Sequence, residues 1–246
     1  MKIKSILVSQ PKPLTEKSPY FDLSKKYNLK IDFRPFVQVE GVSVKEFRKS
    51  RVDVCAHSAI IFNSRTAVDH FFRICDELKV TVKDTWKYFC ISESIAFYLQ
   101  KYVVYRKRKI FFGNGRFDDL LDTIKKYSNE KFIVPLSDIH KQEIPSKLTE
   151  ANIDFTKAIL YRTVSADLSD LKDVNYDVLV FFSPAGLASL FQNFPDFAQN
   201  STKIATFGPS TAKAVETHGL KLDIKAPVPN APSMTAALEQ FIKANK

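Results

Sequence analysis

Short apolar runs alternate with segments in which apolar residues recur at helical spacing along most of the chain. Apolar runs typical of buried strands occur at residues 4–9, 59–62, 88–91, 132–136 and 177–182. Helical spacing predicts helices at residues 19–27, 44–51, 66–78, 93–101, 117–127 and 141–151. Further extended segments are predicted at residues 29–39, 103–105, 110–112 and 155–163. Strands that alternate with helices favour parallel sheets with helices on both faces.

The most informative stretch is residues 203–220, which predicts a strand, a tight turn and a helix. Gly208 suits the turn, and Pro209 suits the first helical position, where a missing N–H group has no consequence. Ser210 and Thr211 then lie in the first helical turn, beside free backbone N–H groups and the positive end of the helix dipole. This arrangement can bind an anion, although the same pattern also forms an ordinary strand-to-helix turn.

The second half of the chain repeats the pattern of the first. Residues 177–184, 203–220 and 227–243 echo residues 59–68, 88–101 and 111–126 in the same order. Ser92 and Asn114 are 22 positions apart, as are Gly208 and Asn230. The repeat predicts two similar α/β domains. Because the segments near residues 36 and 162 are extended, not helical, we expect the N-terminal strand and helix to complete the domain formed by the C-terminal third.

Length and charge limit the function classes. A chain of 246 residues is long enough for one large domain or two small ones. Its net charge of +10 favours an anionic partner, which could be a nucleic acid, a lipid surface or a polycarboxylate. The basic run Arg106–Lys109 is typical of a solvated edge. No aromatic platform, zinc-finger spacing or helix-turn-helix pattern accompanies it, so we expect no nucleic-acid partner.

The sequence predicts a cytoplasmic, soluble protein with no membrane partner. The apolar run at residues 6–8 is too short for a signal peptide, and no window is long enough to span a bilayer. Cys55, Cys75 and Cys90 are odd in number and widely spaced, so we expect buried thiols in a reducing compartment.

Familiar catalytic signatures are missing from the sequence. There is no phosphate-binding loop and no nucleophile elbow, and residues 113–115 lack the third glycine of a dinucleotide-binding motif. Cys55 and His57 have no second pair of metal ligands, so we expect no metal site. His70, His140 and His218 are interpreted as surface or capping side chains. An enzyme of this composition would need chemistry that mainly folds and holds its substrate.

Six pieces of the chain, in order, resemble the uroporphyrinogen-III synthase family. They begin with Ile6–Pro11, Ile61–Ser64 with Ala67-Val68, and Leu160–Thr163. The later pieces are Phe181–Pro184, Gly208–Ala212 and Pro229–Leu238. Each piece alone is weakly specific for the family. Together they follow the order of the family over nearly the whole chain, and this order makes the set more specific.

The resemblance implies a fold and a reaction. Residues 1–36 and 163–246 would form one discontinuous domain and residues 37–162 the other, joined by a two-stranded connector, with the active site in the cleft between them. The substrate would be hydroxymethylbilane, an anionic linear tetrapyrrole with acetate and propionate side chains. The enzyme would need no cofactor; it would invert the last pyrrole ring through a spirocyclic intermediate and close the macrocycle with loss of water. It would act as a monomer, in transient contact with the enzyme that supplies the substrate.

The resemblance also implies site residues. Tyr161 matches the family tyrosine proposed to help the hydroxyl group leave, and a phenol with an ordinary pKa keeps its proton at neutral pH. The substrate-binding residues would be Ser64, Arg65, Ser183, Pro184, Gly208, Pro209, Ser210 and Thr211.

The middle domain departs from the family pattern. Ser92-Glu93-Ser94 stands where the family usually has a glycine-containing turn, and Glu93 would repel a carboxylate. Arg65 replaces a common proline and could bind an acid group of the substrate. The main alternative is a two-lobed protein that binds an anionic small molecule without transforming it. A further alternative, a basic nucleic-acid-binding protein, rests only on the net charge.

Overall fold

A computed structural model describes residues 3–171 and 175–245. Its contacts divide the chain into two compact units. Unit 1 contains Met1–Gln38 and Val164–Lys246, and unit 2 contains Val39–Thr163. Each unit holds one sheet, and the fold class is the expected α/β arrangement of parallel sheets and helices.

The strands of the described residues are β1 Ser5–Val8, β2 Lys30–Phe33, β3 Val37–Gly41, β4 Ala59–Phe62, β5 Lys87–Cys90, β6 Ile110–Phe112, β7 Phe132–Ser137, β8 Phe155–Ser165, β9 Val178–Phe181, β10 Lys203–Phe207 and β11 Leu222–Ala226. The α-helices are α1 Pro19–Tyr27, α2 Val44–Lys49, α3 Arg65–Glu77, α4 Glu93–Tyr98, α5 Phe117–Lys125, α6 Glu143–Glu150, α7 Pro184–Asn193, α8 Pro209–Thr217 and α9 Met234–Ala244.

Apart from the additional edge strand β3, the two sheets share one strand order. The sheet of unit 1 runs β11-β10-β9-β1-β2, and its neighbouring strands are parallel. The sheet of unit 2 runs β3-β8-β7-β4-β5-β6, and it is parallel from β8 to β6. Strands β9 and β10 thus correspond to β4 and β5, as the sequence echo predicted, and β11 corresponds to β6. The remaining pair comes first in unit 1 (β1, β2) and last in unit 2 (β7, β8), so the two units are circular permutations of each other.

Both faces of each sheet are buried, which explains why the strands read as continuous apolar runs. In β1, Ile6 and Val8 pack in the cluster that includes Leu238 of α9, whereas Leu7 packs on the opposite face in the cluster that includes Leu187 of α7. In β4, Ile60 faces the α3 side and Ile61 faces the opposite side, which α5 and α6 cover. Alternation along a strand therefore sends adjacent apolar residues to different cores.

Residues directly before the helices determine where α3, α7 and α8 begin. The Oγ atoms of Ser64 and Ser183 accept hydrogen bonds from the N–H groups of Ala67 (3.0 Å) and Gly186 (3.1 Å). Each serine thereby caps its helix. Gly208 has φ +90° and ψ 152°, a conformation that is essentially restricted to glycine. Gly208 therefore allows the sharp turn from β10 into α8.

The structure corrects four expectations. Residues 103–105 form no strand, because Val103 and Tyr105 pack half-buried against the unit 2 core without a strand partner. Strand β11 was not predicted from its weakly apolar sequence. Residues 29–39 are extended as expected, but they form two strands instead of one segment, β2 of one sheet and the start of β3 of the other. Cys55 is exposed in a 3₁₀ turn, so the expectation that it is buried is wrong, whereas Cys75 and Cys90 are buried.

No helix within residues 3–171 and 175–245 is long and apolar enough to cross a membrane.

Candidate functional site

Parallel strands bring functional residues together at one edge of each sheet. In unit 1, Ser9 and Gly208 directly follow β1 and β10, and Ser183 lies two residues after the end of β9, the strand between them. In unit 2, Asn63 and Ser137 lie at the carboxyl ends of the neighbouring strands β4 and β7. The chain reverses its direction of travel across the sheet between β1 and β9, and between β4 and β7. Ligands of open α/β sheets bind outside the carboxyl ends of strands at such points.

The start of α8 offers unpaired backbone donors in unit 1. No side chain caps this helix, and helix geometry leaves the N–H groups of Ser210 and Thr211 without an intrahelical acceptor. Pro209 and Ser210 are exposed. The side chain of Thr211 is buried, with only 1% of the residue exposed, so its backbone N–H group is the better candidate for binding. The helix start can therefore attract a carboxylate.

The neighbouring helix α7 begins in the same region but is already capped by Ser183. Pro184 occupies its first position, is exposed and has no N–H group to donate. The Ser183 hydroxyl is only partly buried, and its proton can be donated while its oxygen accepts from Gly186. The α7 start can thus contribute one hydroxyl donor and the free N–H group of Ala185.

Tyr161 lies at the carboxyl edge of the unit 2 sheet, where it pairs in register with Ser137. It is 8% exposed, and its Oη atom is 3.4 Å from Oγ of Ser64. The two residues are 97 positions apart in the sequence. The fold therefore brings the predicted catalytic tyrosine next to the predicted binding serine.

A cavity of about 430 Å³ opens in front of Tyr161 within unit 2. Its lining includes Asn63, Gly115, Phe117, Ser137, His140 and Lys141. The Oδ1 atom of Asn63 is buried and has no hydrogen-bond partner among the residues that the structure describes. A buried acceptor without a partner is costly, so Asn63 can accept an N–H group of a ligand. The sequence analysis did not select Asn63, although it directly precedes Ser64.

A second layer of side chains holds Tyr161. The ring of His70 stacks on the ring of Tyr161, with centroids 5.1 Å apart and planes inclined by 17°. Arg73 donates from Nε to Nδ1 of His70 (3.2 Å) and from Nη2 to the carbonyl oxygens of Val42 (2.8 Å) and Leu160 (3.2 Å). Because Nδ1 accepts, the proton of neutral His70 resides on Nε2.

Burial and the nearby Arg73 charge lower the pKa of His70, against the smaller opposing effect of Asp69. His70 is therefore neutral at physiological pH and adds no charge beside Tyr161. The expectation that His70 is a surface or capping side chain was wrong, because its helical position gives no sign that α3 packs against β8 at this point.

The other residues of unit 2 that the sequence analysis singled out, Arg65 and Ser92–Ser94, do not pack against Tyr161 in this way. Arg65 is exposed, and its guanidinium lies 5.4 Å from the ring centroid of Tyr98. Ser92 provides no side-chain cap for α4, and its Oγ atom is 3.1 Å from Oγ of Ser94. Glu93 is exposed in the first turn of α4. The strand end of β5 thus carries a negative charge, in contrast to the end of β4.

Side chains that could bind a metal ion are dispersed: within the described ranges 3–171 and 175–245, no group of three or more His, Cys, Asp or Glu residues comes together. The Nδ1 atom of His57 instead hydrogen-bonds the backbone carbonyl of Asp53 at 2.8 Å.

Comparison with known families gives one match over most of the chain. The family described as "Uroporphyrinogen-III synthase HemD" matches residues 22–236. Among curated proteins, the chain is 26% identical over 151 residues to the uroporphyrinogen-III synthase of Saccharomyces cerevisiae, which covers 52% of this chain and 54% of that protein. It is also 29% identical over 143 residues to the uroporphyrinogen-III synthase of Schizosaccharomyces pombe. This alignment covers 53% of this chain and 54% of that protein. The matches span about half the length of these relatives.

Solved structures share the fold. The uroporphyrinogen-III synthetase of Helicobacter pylori aligns with a TM-score of 0.60 at 17% identity, over 98% of this chain and 100% of that one. A mutant uroporphyrinogen III synthase of Thermus thermophilus aligns with a TM-score of 0.51 at 15% identity, over 98% of both chains. At these identities the likeness supports the fold alone.

The environment of His70 predicts a pH dependence of stability. Its folded-state pKa is lower than the ordinary value of 6.5, so the unfolded chain binds more protons between these two pKa values. The His70 contribution to the free energy of unfolding is therefore complete above pH 6.5 and is lost as the pH falls through the folded-state pKa. Urea unfolding from about pH 7.5 to about pH 5 should show a smaller loss for His70→Gln than for the wild type. An equal loss of unfolding free energy in both proteins would contradict the lowered pKa of His70.

Proposed function

This chain belongs to the uroporphyrinogen-III synthase family, and we propose that it catalyses the reaction of that family. It would convert hydroxymethylbilane into uroporphyrinogen III, inverting the last pyrrole ring and releasing water, without a cofactor. The observation that carries the proposal is the pairing of Tyr161 with Ser64 at the edge of the unit 2 sheet. This pairing lies beside a cavity with an unpartnered acceptor, within a chain that matches the family over residues 22–236.

We assign carboxylate binding to the helix starts of unit 1. The substrate carries acetate and propionate groups, which suits the net charge of +10. Ser210 and Thr211 would donate backbone N–H groups at the start of α8, and Ser183 would donate its hydroxyl at the start of α7. Gly208 and Pro209 shape the α8 turn, and Pro184 shapes the α7 turn. Arg65, which is exposed at the start of α3, would bind a further carboxylate.

We assign the role of general acid to Tyr161. Its phenol would give its proton to the hydroxyl group of hydroxymethylbilane, which then departs as water and leaves a reactive azafulvene in its protonated, cationic form, balanced by the Tyr161 phenolate. Ser64, at 3.4 Å, orients the phenol, and stacking on neutral His70 fixes its ring. The Oδ1 atom of Asn63 would accept a pyrrole N–H group. Most of the remaining catalysis is positioning, because the azafulvene must meet the substituted carbon of the last ring.

We propose that units 1 and 2 correspond to the two domains expected from the sequence, residues 1–36 with 163–246 and residues 37–162. We further propose that the protein is a cytoplasmic monomer that receives its unstable substrate by transient contact with the enzyme that makes it.

An isomer assay tests the proposed reaction. Hydroxymethylbilane is generated in situ, the protein is added, and the oxidised products are separated into type I and type III uroporphyrin. Uncatalysed closure gives type I, so we expect type III to predominate. Type I alone in the presence of folded protein would contradict the enzyme and would support the alternative, a protein that binds an anion without transforming it.

Replacing Tyr161 by Phe removes the proposed acid and keeps the ring that stacks on His70. We expect the rate of type III formation to fall by about 10²-fold or more, with an unchanged far-ultraviolet circular dichroism spectrum. Tyr127→Phe, which removes a hydroxyl outside the site, is the matched control and should retain the wild-type rate. If both variants match the wild type, Tyr161 has no part in the mechanism.

Replacing Ser210 by Asp separates substrate binding from helix stability. A carboxylate at the second position of α8 should stabilise the helix by about 0.3–1 kcal/mol, yet repel the anionic substrate. We therefore expect KM to rise while the free energy of unfolding increases slightly. Ser210→Asn, which has the same size and no charge, should leave KM close to the wild-type value. An unchanged KM in Ser210→Asp would place the substrate elsewhere.

A further inference from the structure

A second cavity lies at the opposite edge of the unit 2 sheet. Its volume is about 220 Å³, and its walls include Trp86, Tyr88, Tyr102, Val103 and Ile110. Trp86 directly precedes β5, and Ile110 begins β6, so the cavity lies at the amino ends of these parallel strands. We propose that this cavity is a binding site for a small aromatic carboxylate.

Two buried donors in the cavity wall lack acceptors. Trp86 is 1% exposed and Tyr88 is 4% exposed. Neither Nε1 of Trp86 nor Oη of Tyr88 has a hydrogen-bond partner within the described part of the chain. An indole N–H group can only donate, and buried donors are nearly always paired in folded proteins. A ligand with acceptor oxygens would satisfy both groups.

The charge around the cavity favours an anion. Its lining includes three cationic side chains, Lys83, Arg106 and Lys109, and a single carboxylate, that of Asp84. Asp84 is already engaged by Arg106, whose Nη2 atom lies 3.6 Å from its Oδ2 atom. Lys83 donates to the carbonyl oxygen of Cys55 (2.8 Å), which leaves Lys109 and the remaining guanidinium donors of Arg106 available. Burial also raises the pKa of Tyr88, so its phenol remains a proton donor.

The size and the walls of the cavity favour a single aromatic ring. A cavity of about 150 Å³ holds benzene in a protein interior, so about 220 Å³ leaves room for one ring and one carboxylate. Aromatic and aliphatic walls suit the ring, whereas the buried donors and the cationic rim suit the acid group.

The cavity is separate from the proposed catalytic site. Tyr161, Ser64 and Asn63 lie at the carboxyl edge of the same sheet, whereas Trp86 and Ile110 lie at its amino edge. Binding here therefore does not depend on the proposed reaction, and a failure of one proposal leaves the other unaffected.

Trp86 makes the test direct, because it is the only tryptophan of the 246-residue chain. We expect benzoate, added to the intact protein, to change the tryptophan emission saturably. Tyr88→Phe, which keeps the ring and removes one donor, should weaken benzoate binding by about tenfold. Arg106→Gln should also weaken it, whereas the matched control Arg108→Gln, a cation of the same segment that does not line the cavity, should not.

Three results would overturn the proposal. The first is no saturable change in emission up to about 10 mM benzoate, a concentration that would detect even a weak site. The second is an equal effect of Arg106→Gln and Arg108→Gln, which would indicate diffuse attraction to the basic segment. The third is equally tight binding of neutral benzyl alcohol, which would exclude a carboxylate as the recognised group. Circular dichroism of each variant verifies that it is folded.

Discussion

The parallel pairing of strands is the constraint on which the rest of this structure depends. Parallel neighbours need crossover connections, and in this chain helices provide most of them. Every such crossover returns the chain to the amino edge and leaves the carboxyl edge to strand ends and helix starts. The capped start of α7, the uncapped start of α8 and the end of β4 are consequences of this pairing. Parallel pairing therefore places the helix starts of unit 1 and the Tyr161 region of unit 2 at the carboxyl edges of their sheets. It places the separate cavity at the amino edge of the unit 2 sheet.

Local signals in the sequence predicted the elements that carry the proposed site. Ser183-Pro184 and Gly208-Pro209 contain a cap or turn residue followed by a proline, and such pairs determine a helix start without help from distant residues. The helices α1 and α3 begin within a residue of their predicted positions for similar reasons. The echo between the two halves predicted that β9 and β10 correspond to β4 and β5, because order and spacing survive when residue identity does not.

Features that depend on packing between distant segments could not be predicted. His70 occupies an ordinary helical position, and only the contact of α3 with β8 shows that it stacks on Tyr161. The burial of Thr211 depends on how α8 packs in unit 1, not on its place in the first turn. Residues 103–105 have the composition of a strand, yet they lie beside the sheet as irregular chain. The cavity next to Trp86 is lined in part by Val103 of this irregular segment.

The central claim is that the carboxyl edges of the sheets hold a polycarboxylate tetrapyrrole. The most direct measurement is a ¹⁵N–¹H NMR titration of the protein with uroporphyrin III, a stable relative of the proposed product. The account predicts that the largest amide shifts occur at Ala185, Ser210 and Thr211, at the starts of α7 and α8, and near Ser64. Shifts confined to the basic segment at residues 106–109, or no specific shifts, would contradict it.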